Sequence, residues 1–123
     1  MIKFDHLHIH SSDLGRTLSF YSKYFGARIV KEGISLGKRF TVMELGGIRL
    51  SIFHMPPRRD DLGPEDTPIS HFAIEVKNIE SLYDNLKKDG YQFARELTTN
   101  ESGAKLAFVL APDRVCIEIV ERP

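Results

Sequence analysis

Three histidines alternate near the start of the chain, at His6, His8 and His10. In an extended strand, residues i, i+2 and i+4 share one face. The three imidazoles therefore look the same way, while Leu7 and Ile9 look the other. Imidazole ligates divalent metals and moves protons near neutral pH. A face that carries three of them borders a metal, a polar cavity or solvent, because each ring must be ligated, hydrogen-bonded or hydrated.

Placing such a face requires a sheet with helices behind it, and the rest of the sequence reads that way. Residues 2–10 alternate as a strand. Asp13 is the preferred helix cap after Ser11 and Ser12, and Leu14, Leu18, Tyr21 and Phe25 follow at helical spacing until Gly26 closes the helix. Residues 27–30 read as a short strand, with a turn around Gly33 and Gly37. Residues 39–45 and 48–53 read as a hairpin about Gly46-Gly47. Pro56, Pro57, Pro64 and Pro68, with the charged run Arg58-Arg59-Asp60-Asp61, mark an exposed connection and a candidate lid.

The second half then repeats the first. Residues 69–76 alternate, Asn78 caps a helix that turns Ile79, Leu82 and Leu86 inward, and Gly90 ends it. Strands follow at 91–96, 105–110 and 115–120, with a polar turn over 98–103. His71 lies 65 positions after His6 (71 − 6), and Asn78 lies 65 after Asp13 (78 − 13). Ile117 lies 67 after Leu50 (117 − 50), so loops absorb the difference. Two tandem βαβββ modules are the most specific signal in the chain. The boundaries read as module one at 1–55, a linker at 56–68 and module two at 69–123, within a single domain spanning 1–123.

Composition narrows the class of partner. The 123 residues carry 17 basic and 17 acidic side chains, so no basic field is available for nucleic acid or an anionic membrane. No apolar run has the length of a membrane span, and the N-terminus lacks a signal-peptide pattern. The single cysteine, Cys116, leaves no internal disulfide framework and no structural zinc–thiolate site. A cytoplasmic protein is the expectation.

The segments Phe4-Asp5-His6-Leu7-His8-Ile9, Asp13-Leu14, Phe20-Tyr21, Phe25-Gly26, His71 to Val76, Pro112-Asp113 and Ile117-Glu118-Ile119 resemble the vicinal oxygen chelate superfamily. That group includes glyoxalase I, methylmalonyl-CoA epimerase, fosfomycin-resistance thiol transferases, extradiol dioxygenases and bleomycin-resistance proteins. The resemblance covers essentially the whole chain. It implies an α+β fold of paired βαβββ modules curling into a mixed, U-shaped open sheet around one divalent metal ion (Zn, Ni, Mn, Co or Fe). It also implies metal ligands at His6, His71 and Glu118, a small-molecule substrate and a homodimer. The fourth family ligand position falls on Ser51, where glyoxalase I has Glu and the epimerase Gln.

Two imidazoles and a carboxylate suit a first-row divalent ion and leave coordination sites open. His8 is expected to contact substrate or act as an acid–base group beside the metal, with Glu118 as the other catalytic candidate, while His10 lies at the rim. Arg49, Ser51 and Phe53 are the candidate substrate-binding residues. An inward Arg49 suits a carboxylate or phosphate, or alternatively pairs with Glu44 across the hairpin. Phe40, Phe108 and Met43 are further candidate walls, and Cys116 reads as a small core residue. The implied function is a metal-dependent lyase or isomerase acting on an oxygenated carbonyl compound. A thiol transferase or ring-cleaving dioxygenase on the same triad, and a metal-free small-ligand or drug-binding protein, are the alternatives.

Overall fold

The computed structural model describes residues 1–57 and 62–123; the charged run at 58–61, with the lid expected of it, lies outside the described residues. By its internal contacts the chain divides into two compact units, Met1–Arg58 and Arg59–Pro123.

In unit 1 the order is β1 (Leu7–Ser11), α1 (Leu14–Phe25), β2 (Arg28–Ser35), β3 (Lys38–Leu45) and β4 (Ile48–His54). The sheet runs β1-β4-β3-β2, with β1 parallel to β4 and the other pairs antiparallel. The parallel pair is what a strand–helix–strand start demands: α1 carries the chain back to the end from which β1 began. Unit 2 repeats the plan with β5 (Phe72–Glu75), α2 (Ile79–Lys88), β6 (Phe93–Thr99), β7 (Lys105–Leu110) and β8 (Cys116–Glu121). Its order is β5-β8-β7-β6, again with a single parallel pair, β5 and β8. The two βαβββ modules of an α+β fold are therefore present, and each folds on its own sheet.

Several boundaries differ from the sequence reading. The first strand begins at Leu7 rather than residue 2, and the fifth at Phe72 rather than residue 69. Gly33 lies inside β2, and the reversal falls at Leu36-Gly37, both with positive φ (50° and 76°). Gly46-Gly47 does make the β3–β4 hairpin, at φ 57° and 89°. The buried face of α1 is Leu14, Thr17, Phe20 and Tyr21, a stripe rotated from the Leu18 and Phe25 expected. Thr17 joins the core because its hydroxyl meets that of Ser11 at 2.6 Å, both groups buried. Behind α1 the sheet supplies Leu50 and Ile52, both fully buried, and Met43 at 1% exposure. Met43 is therefore core and not a wall of the opposite face, since it pairs with Leu50 in the β3–β4 register. In unit 2, Ile79 and Leu86 of α2 pack toward Ile117, Ile119 and Val109.

Candidate functional site

The strand register aligns the two units at the positions that carry chemistry. His8 stands opposite Ser51 on β4, and Ala73, its 65-residue counterpart, stands opposite Glu118 on β8. Ser51 and Glu118 are therefore equivalent sites, and His6 and His71 each immediately precede the first strand of their unit. Strand alternation puts Arg49, Ser51 and Phe53 on the face of the first sheet away from α1, and Cys116, Glu118 and Val120 on the corresponding face of the second.

In unit 2 this face is organised by a pair. His71 Nε2 lies 3.1 Å from Glu118 Oε1, with the side chains 28% and 20% exposed. The imidazole leans on Phe108, with ring centroids 4.6 Å apart, and Phe108 is the cross-strand neighbour of Glu118. Ser70 Oγ holds the other ring nitrogen, Nδ1, at 2.6 Å. Cys116, two residues from Glu118, is buried, and burial pushes its thiol above the usual range, with the Glu118 charge adding to the shift. It is a core residue, as expected.

In unit 1 the exposed histidines of β1 alternate with the buried Ile9 and Ser11. His6 Nδ1 meets Asp5 Oδ2 at 2.6 Å. That hydrogen bond, with the charges of His6, Arg49 and Lys3, holds the Asp5 carboxyl below its usual range. His8 stacks on Phe53 (centroids 4.7 Å, 17° between planes), and Phe53 stacks on Phe40 (5.1 Å, 18°). The Phe40 ring lies over Gly33, where a Cβ would come within 3.0 Å of its tip, so the glycine is what admits the ring. Partial desolvation of the largely exposed ring, reinforced by repulsion from His10 and His6, lowers the pKa of His8, and His10 meets it edge-on at 5.0 Å. Glu44 is paired with Arg28 of β2 at 3.1 Å, and Arg49 is exposed opposite Glu44 in the β3–β4 register.

The structure thus brings together His71 and Glu118 in unit 2. In unit 1 it brings His8 and Phe53 together and sets Ser51 across from His8. His6 stands in unit 1, and within neither unit, among the described residues, do three His, Cys, Asp or Glu side chains gather as a metal-holding group. The donor chemistry of the pair fits a divalent ion: one imidazole nitrogen and one carboxylate oxygen 3.1 Å apart can share an ion at bonds of about 2.0–2.2 Å. Sequence reasoning missed Asp5 and Ser70. The available signal was that the residue before each repeated histidine is a short hydrogen-bonding one, and Asp5 and Ser70 are themselves 65 positions apart (70 − 5).

Comparison with known proteins bears on the family and the fold. The family model described as Glyoxalase/Bleomycin resistance protein/Dioxygenase superfamily matches residues 3–119. A lactoylglutathione lyase of Arabidopsis thaliana is 27% identical over 98% of this chain, which spans only 44% of that relative. A glyoxalase family protein from Enterococcus faecalis is 26% identical, with 97% of each chain covered and a TM-score of 0.76. The fosfomycin resistance protein FosX from Listeria monocytogenes shares the fold at 14% identity, covering 100% of this chain and 93% of its own, with a TM-score of 0.79.

Proposed function

Because the chain belongs to the Glyoxalase/Bleomycin resistance protein/Dioxygenase superfamily, we propose that it is a metal-dependent lyase or isomerase acting on a small oxygenated carbonyl compound. The observation that carries the reading is the His71–Glu118 pair, 3.1 Å apart at the repeat position that faces away from α2. In this reading His71 and Glu118 hold one divalent ion, and His6 is its third ligand, as the resemblance implies. When bound, the ion supplies Lewis acidity toward the substrate's oxygens.

The remaining residues define what the protein itself does. His8 is the proton acceptor. Its packing against Phe53 favours the neutral imidazole, so a free lone pair is present near neutral pH. Ser51, its cross-strand neighbour, is 8% exposed and supplies a hydroxyl where its counterpart in unit 2 is the Glu118 carboxylate. A hydroxyl is neither a strong ligand nor a base, which supports giving the proton-moving role to His8 in this reading. Arg49 binds an anionic group of the substrate, and Phe53 contributes an apolar wall. The half-length match to a lactoylglutathione lyase supports the lyase reading.

The test is metal analysis of protein purified without chelator, followed by calorimetric titration with Mn²⁺, Co²⁺, Ni²⁺ and Zn²⁺. His6→Ala, His71→Ala and Glu118→Gln should each weaken binding by more than about 100-fold, beyond the 10- to 100-fold typical of residues that only support a ligand. Incorporation of solvent deuterium next to the carbonyl of α-hydroxy ketones and aldehydes should require both the metal and His8. A protein that binds no metal, and whose ligand affinity is unchanged in His6→Ala, would instead be a metal-free binding protein, the reading that the row of rings His8, Phe53 and Phe40 favours.

A further inference from the structure

The two histidines proposed as ligands are held by chemically different partners. His6 Nδ1 faces Asp5 Oδ2 at 2.6 Å, and His71 Nδ1 faces Ser70 Oγ at the same distance. An ionised carboxylate only accepts, whereas a serine hydroxyl can donate or accept as its proton rotates. Asp5 therefore requires a proton on Nδ1 of His6, which leaves Nε2 with a free lone pair. His71 differs because its Nε2 also faces the Glu118 carboxylate, at 3.1 Å. That acceptor draws the ring proton to Nε2, and Ser70 then donates its hydroxyl proton to the bare Nδ1.

We propose that Asp5 and Ser70 are positioning residues that set the tautomers of the two ligand histidines: Asp5 keeps His6 permanently ready to bind metal, and Ser70 lets His71 switch. This rests on the metal reading above. A neutral imidazole coordinates through a nitrogen that carries no proton, so His71 must give up its Nε2–H. The proton reappears on Nδ1, with no net release, and the Ser70 hydroxyl turns from donor to acceptor without moving the ring. The Glu118 carboxylate is freed in the same exchange. Without Ser70, only solvent meets Nδ1, so the fixed partner that holds the ring and its tautomer at this exposed position is lost. Such partners commonly alter metal affinity by about 10- to 100-fold.

Two measurements on the full chain test this. The first is ¹⁵N NMR of the imidazoles in metal-free protein, at a pH where they are neutral. It should show His6 protonated on Nδ1 and His71 on Nε2, and Asp5→Ala should move the His6 proton toward Nε2. The second is calorimetric titration with Mn²⁺ and Zn²⁺. Asp5→Ala and Ser70→Ala should each weaken binding by about 10- to 100-fold, while Ser70→Thr, which keeps the hydroxyl, restores it. The proposal is overturned if both histidines show the same tautomer. It is also overturned if the alanine variants bind like wild type while His71→Ala abolishes binding. Wild-type protein that takes up no metal instead overturns the functional reading, and the NMR spectrum then decides the tautomer assignment by itself.

Discussion

His8 owes its chemistry to its neighbours. Phe53 covers one face of the ring, and His10 and His6 lie close enough for their charges to oppose a proton on it. Partial desolvation is the largest cause of its lowered pKa, so Phe53→Ala should raise that pKa toward the ordinary 6.5, as read by NMR titration of the ring protons. The sign for stability follows. With the folded pKa below the unfolded one, the unfolded chain takes up the proton first as pH falls. Stability is then lost as pH drops through about 6.5, and the loss ends once the folded His8 is also protonated. Phe53→Ala should narrow that window, and His8→Gln should abolish its own contribution to it. An unchanged His8 titration in Phe53→Ala would show that the stack does not set the imidazole's charge.

The two helices begin differently, although their elements are repeats. Asp13 caps α1 with its own side chain, accepting from the Arg16 amide at 3.1 Å. Asn78 occupies the equivalent place ahead of α2 with φ 57°, and its side chain makes no cap bond. Glu121, at the end of β8, reaches across instead: its two oxygens accept from the Asn78 and Ile79 amides, each at 3.0 Å. The positive end of the helix and two amide donors favour the carboxylate. The Ile79 bond, and then the Asn78 bond, hold Glu121 below its usual 4.5. The stability it contributes is therefore complete above about 4.5 and is lost as pH falls through the lower folded value. Glu121→Gln should speed amide exchange in the first turn of α2 near neutral pH and remove that part of the acid sensitivity. Exchange rates equal to wild type would mean that α2 starts without this cap. The cap also joins the C-terminal end of the last strand to the helix of its own unit.

At the scale of the molecule the prediction is one of linkage. A ligand that binds only the folded chain stabilises it, by about 2.7 kcal/mol at 100 times its Kd. For a chain of this length that corresponds to a rise in Tm of roughly 10 °C. Saturating Mn²⁺ or Zn²⁺ should raise the melting temperature by about that amount, and chelator should reverse it. His71→Ala should melt at the same temperature with or without metal. A metal-induced rise that survives in His71→Ala would place the ion elsewhere. No helix among the described residues is long and apolar enough to cross a membrane.

The duplication and the order of strands and helices were legible in the sequence because they are matters of period and spacing, whereas the candidate ligands His6, His71 and Glu118 came from the family resemblance. Alternation shows as a period of two, a helix as a period near 3.6, and a repeated module as a constant offset, and none of these needs a distance. Asp13, Gly26 and Gly46-Gly47 could be read because capping and turn chemistry are local. The tertiary structure decided whatever depends on which strand lies beside which. Register brought Glu118 to His71 across 47 residues, sent Met43 to the core rather than to a wall, and agreed with the 67-residue offset that already matched Ser51 to Glu118. It also laid Phe40 over Gly33 and moved the α2 cap from Asn78 to Glu121. Sequence period assigns a side chain to a face; the partners it meets on that face are set by hydrogen-bond register between strands distant in the chain.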